Sequence, residues 1–142
     1  RIKLKIKTML NIKQMTWKDI TKMKVLVVDD SEPIGERILS MLSEIKNVQS
    51  IGRVASLNEA REVLPWLKPD LMILDLQLPD GNGMDFIKVV KAAEYPTKIM
   101  VLTNHSLPIF RKKCEKLGAD FFLDKAKDFP MISKICGSLA SV

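Results

Sequence analysis

Acidic residues at the ends of two apolar segments are the first feature of this sequence that could carry chemistry. Asp29 and Asp30 directly follow the apolar run at residues 25–28, and Asp75 directly follows the run at residues 71–74. Carboxylates held close together repel one another and raise one another's pKa unless a cation is present. Oxygen ligands with open coordination positions suit Mg²⁺, which keeps waters and binds phosphate oxygens. These acids therefore predict a magnesium site if the fold brings them together.

A hydroxyl and an ammonium group follow two later apolar runs in the same way. Thr103 follows residues 98–102, and the pair Asp124 and Lys125 follows residues 121–123. Each residue alone has an ordinary explanation as a helix cap, a turn former, a strand end or a solvated lysine. Acids for a metal, a carboxylate nucleophile and cationic donors are together what phosphoryl transfer to an aspartate requires.

The segments between these residues alternate between two patterns. Short β-branched runs are typical of buried parallel strands, and apolar residues three and four apart are typical of helices. Such alternation indicates right-handed crossovers with helices on both faces of a parallel sheet, whose site lies beyond the carboxyl ends of the strands. We expect strands at residues 24–28, 48–54, 71–74, 98–102 and 121–123, and helices at 33–46, 57–67, 84–94, 107–117 and 130–139.

Local signals mark the ends of two of these helices. Ser56 and Glu59 form a capping box at the start of the second helix, and Gly118 is typical of a residue that ends the fourth. Pro65 lies inside the second helix and has no backbone N–H to donate, so we expect it to end the helix early.

The composition is that of a soluble single domain with a basic opening segment. The chain has 142 residues, of which 46% are hydrophobic and 28% charged. Its net charge of +6 arises in the first 24 residues, since the remainder holds 15 of the 23 basic and 16 of the 17 acidic residues. The body of the protein is therefore not a cationic surface for nucleic acid. No apolar run approaches the roughly 18 residues of a membrane span.

The two cysteines and Trp66 have ordinary interpretations. Cys114 and Cys136 stand apart without metal-ligand spacing, so we interpret them as reduced, partly buried thiols in a cytoplasmic protein. Trp66 is expected to pack between helix and sheet or to lie partly exposed.

Four motifs follow one another over residues 23–142. They are Val25-Leu26-Val27-Val28-Asp29-Asp30; Ile73-Leu74-Asp75-Leu76-Gln77-Leu78-Pro79 with Asn82-Gly83; Val101-Leu102-Thr103; and Gly118-Ala119-Asp120-Phe121-Phe122-Leu123-Asp124-Lys125. In these motifs the sequence resembles bacterial response-regulator receiver domains, the phospho-accepting partners of histidine kinases. The resemblance implies a flavodoxin-like (βα)5 three-layer sandwich, with a parallel sheet in the order 2-1-3-4-5. Residues 1–22 then form a basic N-terminal extension or expression remnant.

The resemblance also implies an acceptor and a metal site. Asp75 would be the phospho-acceptor, and the cofactor would be Mg²⁺, for which Mn²⁺ can substitute. Asp30 would bind the metal directly, Asp29 would help through water, and the main-chain carbonyl of Gln77 would complete the protein ligands beside Asp75.

The remaining implied roles concern phosphate binding, switching and hydrolysis. Thr103 and Lys125 would bind phosphoryl oxygens together with backbone N–H groups. Phe122 occupies the aromatic switch position, where the family often has Tyr, so a hydroxyl-dependent switch is excluded. Phosphorylation would draw Thr103 inward, let Phe122 enter the vacated space and alter the face of the fourth helix, fifth strand and fifth helix. Gln77 and His105 are expected to flank the phosphoryl group and tune its hydrolysis.

The implied partners are a histidine kinase or phosphotransfer protein and an unknown downstream protein, with phosphorylation-dependent dimerisation as a further option. The receiver itself is not expected to bind nucleic acid or membrane, nor to act as a turnover enzyme. It is either a stand-alone regulator or a fragment of a longer transcription factor.

Three alternatives remain beside this interpretation. A Mg²⁺-dependent phosphatase of the aspartyl-phosphate type would need an acid two residues after its nucleophile, and position 77 is Gln. A nucleic-acid or membrane binder could act through the alternating basic and apolar residues at 1–24. A flavin-binding relative would need a Ser/Thr-rich phosphate loop after the first strand, where Asp29 and Asp30 stand instead.

Overall fold

The computed structural model describes residues 22–141, which form one parallel sheet with helices on both faces. The strands are β1 (Met23–Val28), β2 (Val48–Val54), β3 (Leu71–Leu74), β4 (Lys98–Thr103) and β5 (Phe121–Asp124). The helices are α1 (Glu32–Ser43), α2 (Leu57–Leu67), α3 (Gly83–Ala92), α4 (Pro108–Leu117) and α5 (Met131–Ala140). The five expected strands and five expected helices are all present, which confirms the predicted α/β pattern.

The order of the strands decides which residues can meet. The sheet runs β2-β1-β3-β4-β5 with every pairing parallel, which confirms the flavodoxin-like order. Val28 at the end of β1 lies opposite Leu74 at the end of β3, and Thr103 at the end of β4 lies opposite Asp124 at the end of β5. The residues that follow these strands therefore emerge at one edge of the sheet.

Alternate residues of each strand enter two separate cores. Leu26 and Met72 pack in the cluster that includes buried residues of α2, α3 and α4, whereas Val27 and Ile73 pack in the cluster that includes those of α1 and α5. All four residues of β3 are buried because both faces of this central strand are covered. The rigid sheet thereby fixes the strand ends from which the site is built.

Helix α2 contradicts one expectation. It continues through Pro65 to Leu67, so the prediction that proline ends it early was wrong. Proline removes one backbone donor near the end of the helix, while the burial of Leu64 and Leu67 in the core keeps the last turn in place. The helix ends at Lys68, which is left-handed with φ 43° and donates its N–H to the Leu64 carbonyl at 3.0 Å.

The structure confirms Ser56 as the cap of α2 and Gly118 as the residue that ends α4. The Ser56 hydroxyl accepts a hydrogen bond from the Glu59 N–H at 3.1 Å at the start of α2. Gly118 ends α4 with a left-handed φ of 108°. The expected basic extension lies, apart from Lys22, outside the described residues. Among residues 22–141, no helix combines the length and the apolar character needed to cross a membrane.

Candidate functional site

Three carboxylates converge at the carboxyl ends of β1 and β3. Asp29 and Asp75 are buried, with 2% and 6% of their surface exposed, whereas Asp30 is exposed. One carboxylate oxygen from each of the three lies within 4.8 Å of the other two. This all-oxygen set, open to solvent through Asp30, fits a hard divalent cation such as Mg²⁺.

Lys125 reaches into this acid cluster from the turn after β5. Its Nζ lies 2.8 Å from Asp29 Oδ2 and donates to Asp75 Oδ2 at 3.0 Å. Burial alone would lower the pKa of this ammonium group, but its contacts with the two carboxylates outweigh burial and raise the pKa. Lys125 is therefore a fixed positive charge against the proposed acceptor.

The two buried acids differ in their surroundings. Burial raises the pKa of the Asp75 carboxyl, although the hydrogen bond from Lys125 acts in the opposite direction. Its Oδ1 accepts only a long bond of 3.3 Å from the Gln77 N–H. Asp29 Oδ1 accepts from the Ser31 N–H at 2.8 Å, and its Oδ2 forms an ion pair with the Lys125 ammonium at 2.8 Å. Asp75 therefore keeps the less completely bonded carboxylate of the two.

Thr103 lies fully buried at the end of β4. Its Oγ1 accepts a hydrogen bond from the backbone N–H of His105 at 3.0 Å. The side chain of His105 is exposed, and its ring meets the Phe110 ring edge-on at 6.1 Å between centroids. His105 thus contacts the site through its main chain, and its imidazole rests on α4.

Phe122, the expected switch residue, lies on β5 and belongs to the core cluster that includes buried residues of α2, α3 and α4. Its ring is already buried, with 4% of its surface exposed, so it does not need to move in from solvent. The guanidinium carbon of Arg111 lies 4.9 Å from the ring centroid, and Arg111 Nη1 donates to the Phe122 carbonyl at 3.1 Å. Arg111 on α4 therefore packs over the Phe122 ring and bonds to its backbone.

Side-chain contacts hold the turns that carry the site. Asp124 accepts from the N–H groups of Ala126 at 2.7 Å and Lys127 at 2.9 Å, and it also accepts from the Ser106 hydroxyl. Chiefly through Ser106, these bonds lower the pKa of Asp124. The loop after Thr103 is thereby bonded to the turn that presents Lys125.

Glycine is required at position 83 because the chain after Asp75, here called the acceptor loop, lies close against the start of α3. A Cβ atom on Gly83 would lie 2.5 Å from the Asp75 carbonyl oxygen, which is backbone and cannot swing away. The Gly83 N–H also donates to the Leu76 carbonyl at 2.8 Å. The glycine thus lets the chain after Asp75 fold tightly onto the start of the helix.

The structure brings most of the predicted residues together. Asp29, Asp30, Asp75 and Lys125 form one cluster, and Thr103 ends the next strand of the sheet. Gln77 is exposed on a short hairpin, Gln77–Leu78 paired with Gly81–Asn82, that sequence reasoning did not predict.

Sequence reasoning missed the residues that support this cluster. Ser106 and Arg111 had no signal beyond ordinary loop and helix composition. Arg53 on β2 was also missed, and its Nη1 donates to the Asp29 carbonyl at 2.8 Å. The sequence likewise gives no sign of what the carboxylate of Asp80 contacts, which only the fold shows.

The structure agrees with the interpretation of the two cysteines and decides between the two expected positions of Trp66. Cys114 and Cys136 are free and buried, and burial raises the pKa of the Cys136 thiol to about 11, so neither is an activated thiolate. Trp66 is 68% exposed, which agrees with the surface alternative rather than with packing against the sheet.

Known proteins resemble this chain in sequence and fold. A family model described as the response regulator receiver domain matches residues 25–136. The protein-glutamate methylesterase/protein-glutamine glutaminase of Clostridium acetobutylicum is 32% identical over 116 residues, which are 80% of this chain and 34% of that protein. The methylesterases that match are covered over only 23–34% of their own length.

Two solved receiver domains are similar over most of the chain. The signal receiver domain of the putative response regulator NarL from Mycobacterium tuberculosis is 27% identical with a TM-score of 0.77, covering 84% of this chain and 96% of that one. The isolated REC domain of RcsB from Salmonella enterica serovar Typhimurium, in the presence of the phosphomimetic BeF3-, is 25% identical with a TM-score of 0.78, covering 83% and 88%.

Proposed function

Since this chain belongs to the response regulator receiver domain family, which accepts phosphoryl groups in two-component signalling, we propose that Asp75 is its acceptor residue. The observation that carries the proposal is the position of Asp75, buried beside the other two acids and in contact with the Lys125 ammonium. A carboxylate oxygen of Asp75 attacks the phosphorus, the bond to the donor breaks, and an acyl phosphate remains on Asp75.

The acids next to Asp75 are proposed to hold the metal ion. Asp30 and Asp75 would bind Mg²⁺ or Mn²⁺ directly, Asp29 through water, and Gln77 through its main-chain carbonyl. The ion would neutralise charge on the transferred phosphoryl group and on the acids around it. The family binds Mg²⁺ through acidic residues, and the oxygen cluster of this chain matches that requirement.

Lys125 and Thr103 are proposed to bind the phosphoryl oxygens. Lys125 can keep its contact with Asp29 while it exchanges Asp75 Oδ2 for a phosphoryl oxygen. Thr103 would turn its hydroxyl from the His105 N–H toward another oxygen. Backbone N–H groups after Asp75 and Thr103 would complete the oxygen contacts. Movement of Thr103, followed by Phe122, would then alter the face of α4, β5 and α5.

Gln77 and His105 are proposed to set the lifetime of the phosphoryl group. Both side chains are exposed, and each lies two residues beyond a site residue. Replacing His105 with Ala should change the dephosphorylation rate severalfold and leave Mg²⁺ affinity unchanged, because the exposed imidazole, once turned from Phe110, can contact the attacking water without binding the metal. Identical time courses of phosphate loss for His105→Ala, wild type and an Asn104→Ala control would contradict this role.

The phosphoryl donor is proposed to be a histidine kinase or phosphotransfer protein in the cytoplasm, and the output an unknown downstream protein or a phosphorylation-dependent dimer. Transfer from purified kinases and the solution mass of the phosphorylated form test these two points. We also propose that the chain is not a turnover enzyme, since the amide of Gln77 cannot supply a general acid. Multiple turnovers of a phosphomonoester would contradict this.

The experiment that tests the acceptor is labelling with a small acyl phosphate and Mg²⁺. Wild-type protein should gain one base-labile phosphoryl group, and a chelator should suppress the gain. Asp75→Asn should gain none. Asp85→Asn, the same chemical change at an exposed position on α3, should be labelled normally. Stoichiometric labelling of Asp75→Asn would refute the assignment.

A further inference from the structure

The turn of the hairpin after Asp75 is fastened to another helix. Asp80 lies in this turn with its carboxylate directed at the start of α2. Its Oδ1 accepts from the Leu57 N–H at 2.9 Å, and its Oδ2 accepts from the Asn58 N–H at 2.8 Å. These are the first two N–H groups of the helix, which have no partner within it. Asp80 therefore caps a helix whose first two residues, Leu57 and Asn58, lie 23 and 22 positions before it in the sequence.

Two further observations show that this contact is specific. Gly81 has a φ of 153°, and a Cβ atom there would lie 3.1 Å from Leu57 Cδ1, so the turn lies close against the helix. The N–H bonds, from Leu57 first and Asn58 second, lower the pKa of Asp80, so the carboxylate is ionised beside a helix N-terminus.

The same hairpin presents Gln77 to the acid cluster. Gln77 pairs with Asn82 across the hairpin, and its N–H makes the long 3.3 Å contact with Asp75. Its main-chain carbonyl is the one protein ligand of the proposed metal site that does not come from a carboxylate. Mg²⁺ demands near-ideal octahedral geometry, so a displacement of this carbonyl weakens binding.

We propose that Asp80 is a positioning residue for the cation site, holding the hairpin so that the Gln77 carbonyl can bind Mg²⁺ and coupling the site to the start of α2. This inference rests on the proposed function, because it assumes that the acid cluster binds the cation. Coupling between two sites is reciprocal. If Asp80 holds the hairpin for the cation, the cation must also hold Asp80 against Leu57 and Asn58.

A matched pair of variants tests the proposal in the full chain. Asp80→Ala and Ser56→Ala each remove a cap from the N-terminus of α2, but only the first also releases the hairpin. Calorimetric titration with Mg²⁺ should give a dissociation constant roughly 10-fold higher for Asp80→Ala, a typical effect of losing an outer support of a metal site. Ser56→Ala should bind like wild type. Equal affinities in both variants, or equal losses in both, would overturn the proposal.

A second variant covers the case in which Asp80→Ala does not fold. Asp80→Asn keeps one acceptor oxygen and should show an intermediate dissociation constant, whereas wild-type affinity would overturn the proposal. Wild-type protein that fails to bind Mg²⁺ contradicts the proposed function itself. If wild-type protein binds Mg²⁺ and neither Asp80 substitution changes the dissociation constant, only the positioning role is contradicted.

Amide hydrogen exchange in wild-type protein distinguishes a coupled cap from a purely structural one. If Asp80 were only a helix cap, Mg²⁺ would not change the exchange rates of the N–H groups that it binds. Adding Mg²⁺ should slow exchange of the Leu57 and Asn58 N–H groups, which bond to Asp80. The Glu59 N–H, which bonds to Ser56 instead, is the internal control and should change less. Equal slowing of all three, or none, would overturn the coupling.

Discussion

Lys125 is the residue on which the balance of charge in the acid cluster depends. Two buried carboxylates face it, and Asp30 adds a third negative charge at the solvent side. Burial is the main cause of the raised pKa of Asp75, whereas contacts with Asp29 and Asp75 outweigh burial and raise the pKa of Lys125. Charges removed from water are stable only beside a partner. In the absence of a metal, the ammonium group is that partner.

Replacing Lys125 with Met should therefore destabilise the metal-free protein at neutral pH. Breaking a fully buried ion pair costs roughly 3–5 kcal/mol, and we expect about 2 kcal/mol here because the cluster is open to solvent on one side. Urea denaturation measures the loss in the free energy of unfolding. Added Mg²⁺ should make this loss smaller by replacing the missing positive charge. Lys127→Met, at an exposed position in the same turn, is the control. An equal loss in both variants would show that the charge at Lys125 is not the cause.

Among the elements, the two glycines in α3 and α5 show how the same residue type serves opposite purposes. Gly83 begins α3 against the Asp75 carbonyl, where no side chain fits. Gly137 lies inside α5, where a Cβ atom would make an ordinary contact of 3.9 Å with Ile45 Cγ2. The first glycine permits the acceptor loop to close, and the second only adds conformational freedom to the unfolded chain.

Alanine at these positions should act in opposite directions. Gly83→Ala forces backbone apart and should lower the free energy of unfolding by about 1–3 kcal/mol. Gly137→Ala should raise it by roughly 0.5–1 kcal/mol, since alanine favours the helix interior. Chemical denaturation of both variants measures the difference. Stabilisation by Gly83→Ala would mean that the approach of this loop to the helix is looser than the structure shows.

For the whole molecule, the weakly anchored α4 is the element best placed to respond to phosphorylation. Its only buried residue is Cys114, whereas α2 and α3 bury five and four residues. The bond between Ser106 and Asp124 ties the loop before α4 to the turn after β5. A change at Thr103 can therefore pass to α4, β5 and α5 at little cost in packing.

Amide exchange with and without Mg²⁺ and beryllofluoride should locate this response. We expect the largest changes in the loop after Thr103 and in α4, β5 and α5, with smaller changes at the start of α2. Because Phe122 is already buried, its own amide should change less than those of α4. Asp75→Asn is the control and should show no response. A response confined to α2 would contradict this model of the switch.

The sequence by itself was sufficient for the alternation of elements, the strand order implied by the resemblance, and the acids at the strand ends. The alternation and the acids depend on periodicity and on chain order, which a sequence contains directly, whereas the strand order came from the resemblance to a known family. Only the tertiary structure decided which side chains hold the surroundings of the site in place. Asp80 bonds to the start of α2, Ser106 bonds to Asp124, and Arg111 bonds to the Phe122 carbonyl. Each joins residues from different loops or elements by a contact of one or two hydrogen bonds. Such contacts leave no period in the sequence, because they arise only once the sheet has brought its strand ends to one edge.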